Sequence, residues 1–183
     1  MLEERIWDRV VAFHGHSCPG LAIGFKAVEG ALSELELSGC DWPALDEEIV
    51  CVTENDACGV DAIQVVLSCT YGKSNLISRL RGKMAFSFFT RDTGKAVRLV
   101  FTASCPEGME RDAYQDYLLR TPYTELFKVT VPSFGLPQPA RLFASRTCAA
   151  CGEQAAEYGL RLQDGKLVCL DCYEAYDREG IGV

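Results

Sequence analysis

No apolar stretch of this 183-residue sequence approaches the ~20 residues a helix needs to cross a bilayer. Basic charge is in deficit, with a net charge of −8, which argues against non-specific binding to nucleic acid or an anionic membrane. The start, Met1-Leu2-Glu3-Glu4-Arg5, is acidic and then amphipathic, unlike an export signal. No glycine-rich phosphate loop follows a strand, so nucleotide-dependent chemistry has no support. Before residue 132 there is no Cys-x-x-Cys, which removes the usual signature of a dithiol oxidoreductase. Histidine is scarce as well: the chain has two.

What is present is cysteine, ten residues of it. Without an export signal this points to a reducing, cytoplasmic setting, where thiols serve metals or catalysis more often than disulfides. Both histidines and the first cysteine fall within His14-Gly15-His16-Ser17-Cys18-Pro19-Gly20. Imidazole and thiolate at such spacing suit a transition metal. In an extended segment, side chains two apart share a side, so His14, His16 and Cys18 would point the same way. Pro19 favours an extended Cys18 and is well placed as a first helical residue. The sulfur would then sit at the positive end of a helix dipole, which lowers a thiol's pKa. The competing reading is a capped turn between two helices with hydrogen-bonded histidines.

The remaining pattern predicts an α+β core with a mixed sheet flanked by helices over 1–131. Leu2, Ile6, Val10 and Phe13 recur at helical spacing over 2–13. A second helix runs from Pro19 to about Glu36, and its Gly24 and Gly30 permit close approach of a neighbour. Ile49–Thr53 reads as a buried strand. A third helix covers about 60–70, two strands form a hairpin over 84–90 and 96–102, a helix covers 107–120 and a last strand 127–131. Pro132, Gly135, Pro137 and Pro139 break both periodicities, so 132–147 reads as a linker.

In the remaining domain, 148–183, Cys148-x-x-Cys151 and Cys169-x-x-Cys172 are separated by seventeen residues. Two such pairs of thiolates make a closed tetrahedral Zn²⁺ site, with a redox dithiol pair or an iron–sulfur centre as alternatives. About 40 residues cannot build a stable core alone, so the metal must hold them. A hairpin about Asp164-Gly165, followed by a helix over 173–178, would make a treble clef. Acids outnumber bases from Arg146 onward, which favours protein contact over nucleic acid.

Cys58 repeats the setting of Cys18, a thiol just before a helix start, and could share a metal with it and a histidine. Asp61 is placed to orient a ligand or carry a proton, with Gln64 one turn on to orient Asp61. Lys73 could reach an anionic ligand, and the basic stretch Lys73–Arg98 could gather one. Cys105-Pro106 is a third cysteine of this type, for which packing is the simpler reading. Cys51 belongs to the core, and Cys40 reads as a loop thiol.

The run His14–Gly24, the segment Glu54–Gln64 and the closure Ser68–Lys73 resemble the formylmethanofuran dehydrogenase E-subunit family over roughly residues 5–135, and the chain is similar to members with a C-terminal zinc finger. The resemblance implies a thioredoxin-like α+β core, usually paired into a dimer. It also implies a site at His14, His16, Cys18 and Cys58 able to hold Zn²⁺ or a similar ion. Several members are encoded beside components of a molybdenum enzyme of one-carbon metabolism, which makes those components candidate partners. The expected function is a metal-binding accessory subunit or metal-dependent enzyme, with a metal-delivery or docking adaptor as the alternative.

Overall fold

The computed structural model describes residues 4–38 and 42–177. The first two residues of the expected N-terminal helix, Cys40 and Arg178 lie outside them. The chain forms two compact units, Met1–Ala140 and Arg141–Val183.

The first unit is built on a five-stranded mixed sheet of order β2-β1-β3-β4-β5. Its strands are β1 (Ile49–Thr53), β2 (Leu76–Ser78), β3 (Ala85–Thr90), β4 (Ala96–Phe101) and β5 (Phe127–Thr130). β2 runs parallel to β1, and every other pairing is antiparallel. Period-2 alternation sorts the side chains. Ile49, Cys51, Phe86, Phe88, Val97 and Leu99 face the main core, whereas Val50, Val52 and Phe89 face a second, smaller one. The helices α1 (Glu4–His14), α2 (Pro19–Glu34), α3 (Gly59–Leu67), α4 (Arg111–Arg120) and α5 (Tyr123–Leu126) supply the other residues of the main core. α2 is its centre, buried almost without interruption from Leu21 to Val28. Burial of each such large apolar side chain stabilises by ~1.5–3 kcal/mol. The expected α+β class with a mixed sheet therefore holds.

Three sequence expectations are corrected. The third helix stops at Leu67 rather than near 70, because Ser68 turns left-handed (φ 58°) and the buried Asn75 takes over the local backbone groups. Asn75 Oδ1 accepts from Thr70 N–H (2.8 Å), and its Nδ2 donates to the carbonyls of Ile49 (2.9 Å) and Asp46 (3.0 Å). This staple also aligns β2, three residues too short to show alternation. The fourth helix starts at Arg111, not 107, since Gly108 at φ +74° breaks the helical path after Pro106. The expected linker 132–147 is divided. Phe134 and Leu136 close the small core over Val50, Val52 and Phe89, Arg91 Nη1 donates to Pro137 O (2.8 Å), and Ser145–Thr147 is already strand β6 of the second unit. Proline and glycine marked a break in periodicity there, not an absence of packing.

The second unit carries two hairpins. β6 pairs with β7 (Gln154–Ala156), and β8 (Leu160–Gln163) pairs with β9 (Lys166–Cys169) about the Asp164-Gly165 turn. Residues 173–177 hold no regular structure where the treble-clef helix was expected. Glu174 N–H is taken by Gln163 Oε1 of β8 (2.8 Å), so the chain is tied to the hairpin instead of closing its own helical turn. Among the described residues no helix is long and apolar enough to cross a membrane.

Candidate metal centres

Cys18 caps α2 in an extended conformation (φ −159°, ψ 160°), with Pro19 as the first helical residue. Its Sγ accepts from Leu21 N–H at 3.3 Å, and the side chain is buried. The free N–H groups of the helix start thus face the sulfur and favour negative charge on it. Cys58 stands at the same place before α3 but in a helical conformation (φ −46°, ψ −32°), and its side chain makes no cap bond. The turn that delivers it is set by Thr53 and Asn55. Thr53 Oγ1 donates to Asn55 O (2.6 Å), Asn55 Oδ1 accepts from Ala57 N–H (3.2 Å), and Asn55 Nδ2 donates to Lys83 O (3.1 Å).

Glycines bring these two helix starts together. A Cβ on Gly24 would lie 2.0 Å from the Gly59 carbonyl oxygen, and one on Gly59 would lie 3.0 Å from Gly24 Cα. Only bare backbone fits at that crossing, and it places Cys18 and Cys58 side by side. Gly30 grants a similar approach to Leu99 and Tyr123, each with an atom 2.9 Å from where its Cβ would be.

His14 is the last residue of α1, and Gly15 (φ +90°) turns the chain after it, its N–H bonded to Val11 O at 2.8 Å. The imidazole Nδ1 lies 2.6 Å from Asp61 Oδ2, and Asp61 Oδ1 accepts from Gln64 Nε2 at 3.1 Å. A carboxylate acceptor requires the proton on Nδ1, which leaves the Nε2 lone pair free. Nε2 is buried and has no hydrogen-bond partner. His14, Cys18 and Cys58 bring one nitrogen and two sulfurs within 4.8 Å of one another. An orphaned buried nitrogen beside two thiols fits a borderline-soft ion such as Zn²⁺, with three protein ligands and one position left. Burial, and then the neighbouring Cys18 sulfur, push the Cys58 thiol above its ordinary pKa. A pocket of about 310 Å³ opens beside the group, lined by His14, Thr53, Asn55, Asp56, Cys58, Asp61 and Ser78, among others.

The second cluster lies in the C-terminal unit, where Cys148, Cys151, Cys169 and Cys172 hold four sulfurs within 4.8 Å of one another. Gly152 (φ +79°) turns the first knuckle, with its N–H on Cys148 O at 3.0 Å. Backbone N–H groups of Cys151 and Cys169 draw the Cys148 thiol down to about 6, whereas the sulfurs of Cys169 and Cys151 push Cys172 up to about 12. Four thiolates this close need a cation to ionise together. The apolar support is small, Leu160 and Val168 with Ala155 beside them, which is why the unit needs a metal.

Residues 13–128 match the family described as FmdE, molybdenum formylmethanofuran dehydrogenase operon. The chain belongs to the FmdE family. Residues 141–178 match the prokaryotic dksA/traR C4-type zinc finger. The FmdE chain is similar to a probable S-adenosyl-L-methionine-binding protein of Archaeoglobus fulgidus, 28% identical over 94% of this chain, and spans about half of that relative's length (53%). Its fold is also that of an FmdE-like protein of tungsten formylmethanofuran dehydrogenase type from Syntrophus aciditrophicus. There the TM-score is 0.59 and the identity 20%, with 92% of this chain and 90% of the other covered.

Two expected site residues of this FmdE chain lie elsewhere. His16 is exposed and outside the donor group, its ring centroid 4.6 Å from that of His14. The motif is not extended: α1 carries through His14 and Gly15 reverses the path, so the shared-side argument fails. Lys73 Nζ is spent on Ala44 O (2.9 Å) and Ser68 Oγ (3.4 Å) and braces a loop instead of a ligand. None of the seven basic residues of Lys73–Arg98 is among those lining the pocket. Arg91 pairs with Glu47, Lys95 with Glu36 and Arg98 with Glu54. Cys105 is exposed, and Cys51 and Cys69 are buried, with burial lifting both thiols, Cys69 to about 12. Gly59 was missed in the sequence, because a glycine after a cysteine gives no sign of which helix will cross it.

Proposed function

We propose that the FmdE domain holds Zn²⁺ or a similar transition-metal ion through His14 Nε2, Cys18 Sγ and Cys58 Sγ. It acts as an accessory subunit or metal-dependent enzyme of one-carbon metabolism, with the C-terminal zinc finger as a structural site. The observation that carries this reading is the buried, partnerless Nε2 of His14 beside two sulfurs. Bound Zn²⁺ would supply Lewis acidity and a water of lowered pKa. Asp61 keeps the proton on His14 Nδ1, and Gln64 keeps Asp61 in place. The test is metal analysis of anaerobically purified protein. Wild type should carry two equivalents, and Cys18→Ser and Cys58→Ser one each; two equivalents in both variants would refute the assignment.

The pocket bears on what enters. Asp56 and Asp61 are among its lining residues and no basic side chain is, which suits a neutral or cationic ligand better than an anion. The name of the archaeal relative specifies a ligand of that kind, since S-adenosyl-L-methionine carries a sulfonium and an ammonium. Titration calorimetry with S-adenosyl-L-methionine on wild type and Asp56→Asn tests this second reading: saturable binding weakened in the variant supports it, and no heat with wild type excludes it. In a delivery role the same ligands would pass their ion to an apo-enzyme without substrate turnover.

A further inference from the structure

Cys18 and Cys58 stand forty positions apart and form no sequence motif, yet their sulfurs lie within 4.8 Å of each other. Gly20 offers no side chain between them: a Cβ there would be 3.4 Å from Cys58 Cβ and 3.9 Å from Cys18 Sγ. The two thiols are not equivalent. Cys18 is 3% exposed, held by Leu21 N–H, and absent from the residues lining the pocket. Cys58 is half-buried, lines the pocket, and makes no cap bond that would fix its sulfur. A disulfide needs the sulfurs at about 2.05 Å. Rotation of the untethered Cys58 side chain toward a stationary Cys18 closes the gap without moving either helix.

We propose that the FmdE domain, when its site holds no ion, is a reactive dithiol toward small disulfides, with Cys58 the attacking thiol and Cys18 the resolving one, and that the resulting Cys18–Cys58 bridge closes the site to metal. The part concerning metal rests on the ligand set given under Proposed function; the dithiol part does not. In the first step Cys58 gives up its proton and attacks one sulfur of R–S–S–R. A Cys58–S–S–R bond forms, the R–S–S–R bond breaks, and the leaving thiolate takes a proton. In the second step Cys18 gives up its proton and attacks the Cys58 sulfur. The Cys18–Cys58 bond forms, and a second thiolate leaves and is protonated. Two electrons pass from the protein pair to the small disulfide, which ends as two thiols. The bridge removes two of three ligands, because a metal binds thiolate and not disulfide sulfur.

The experiment uses the full-length chain with oxidised glutathione as probe, once with one zinc equivalent, for the finger, and once with two. Samples are acid-quenched, alkylated and mapped by peptide mass spectrometry. With one equivalent a Cys18–Cys58 cross-linked peptide should form and revert with a thiol reductant. With two, its formation should slow by about tenfold or more, because bound ion protects the sulfurs. Cys18→Ala should stop with one glutathione on Cys58, and Cys58→Ala should leave Cys18 unmodified. Wild type that accumulates glutathione on Cys58 without a bridge, or that keeps both thiols free while other cysteines react, would overturn the dithiol. A bridge that forms in a protein whose FmdE domain binds no zinc would leave the dithiol standing and sink the metal reading.

Discussion

Replacing Asp61 by alanine leaves all three proposed metal ligands in the chain but removes what orients one of them. The His14 Nδ1–Asp61 Oδ2 contact of 2.6 Å is a charge-assisted hydrogen bond on side chains only 13% and 32% exposed. Without it the imidazole can carry its proton on Nε2, facing the sulfurs, and the ring can turn. Loss of such an outer partner costs about 10–100-fold in metal affinity, or ~1.4–2.7 kcal/mol. Gln64, which donates to the other Asp61 oxygen at 3.1 Å, acts one bond further out, so Gln64→Ala should cost less. Asp61→Asn keeps an acceptor but loses the charge and should fall between. The assay is competition with a chromophoric chelator, resolved into two classes of site, with the finger as internal reference. Asp61→Ala that binds as tightly as wild type, or that weakens both classes equally, would refute the relay.

Gly24→Ala puts a methyl group 2.0 Å from the Gly59 carbonyl, against backbone that cannot swing aside. We expect ~1–3 kcal/mol or more of destabilisation by thermal melting, together with loss of the FmdE-domain metal. Glu54 is buried and paired with Arg98 Nε at 2.6 Å and Nη2 at 2.9 Å, and this guanidinium holds its carboxyl below the ordinary value. A depressed folded pKa gives stability that is present above the unfolded value, about 4.3, and lost as pH falls through the folded one. Urea melts from pH 6 to 3 should show that acid-dependent loss, flattened in the Glu54→Gln variant. Arg98→Ala, which strands a buried carboxylate, should cost about 3–5 kcal/mol at neutral pH. Chelation of zinc should abolish hydrogen-exchange protection within β6–β9 and leave it in the core strands β1, β3 and β4, since Leu160 and Val168 cannot hold the finger alone.

The clearest sequence signals were those of local origin. Two Cys-x-x-Cys pairs seventeen residues apart announced a finger, because each knuckle is a short-range turn and the metal supplies the long-range term. The amphipathic runs of α1 and α2, the buried β1 and the β3–β4 hairpin were legible for a like reason. Cys18 before Pro19 was a readable helix cap. β2 escaped because three residues cannot show a period, and its place is fixed by Asn75 reaching the backbone of Ile49 from 26 positions away. The segment around Phe134 read as linker because its contacts lie across the sheet, with Val50, Val52 and Phe89.

The chain alone determined that sulfur and imidazole would be ligands, that two helices would begin at cysteines, and that a second domain would depend on metal. Only the folded molecule decided which histidine takes part. His14 and His16 have the same chemistry and differ in whether α1 ends before or after them, and α1 runs through His14 to aim it at Asp61. Folding likewise decided that Cys18 would meet Cys58, since two bare glycine backbones let α2 and α3 close to a distance no side chain would tolerate. Contacts between residues forty positions apart leave no periodic trace in either segment, and this one depends on a Cβ that is missing from both.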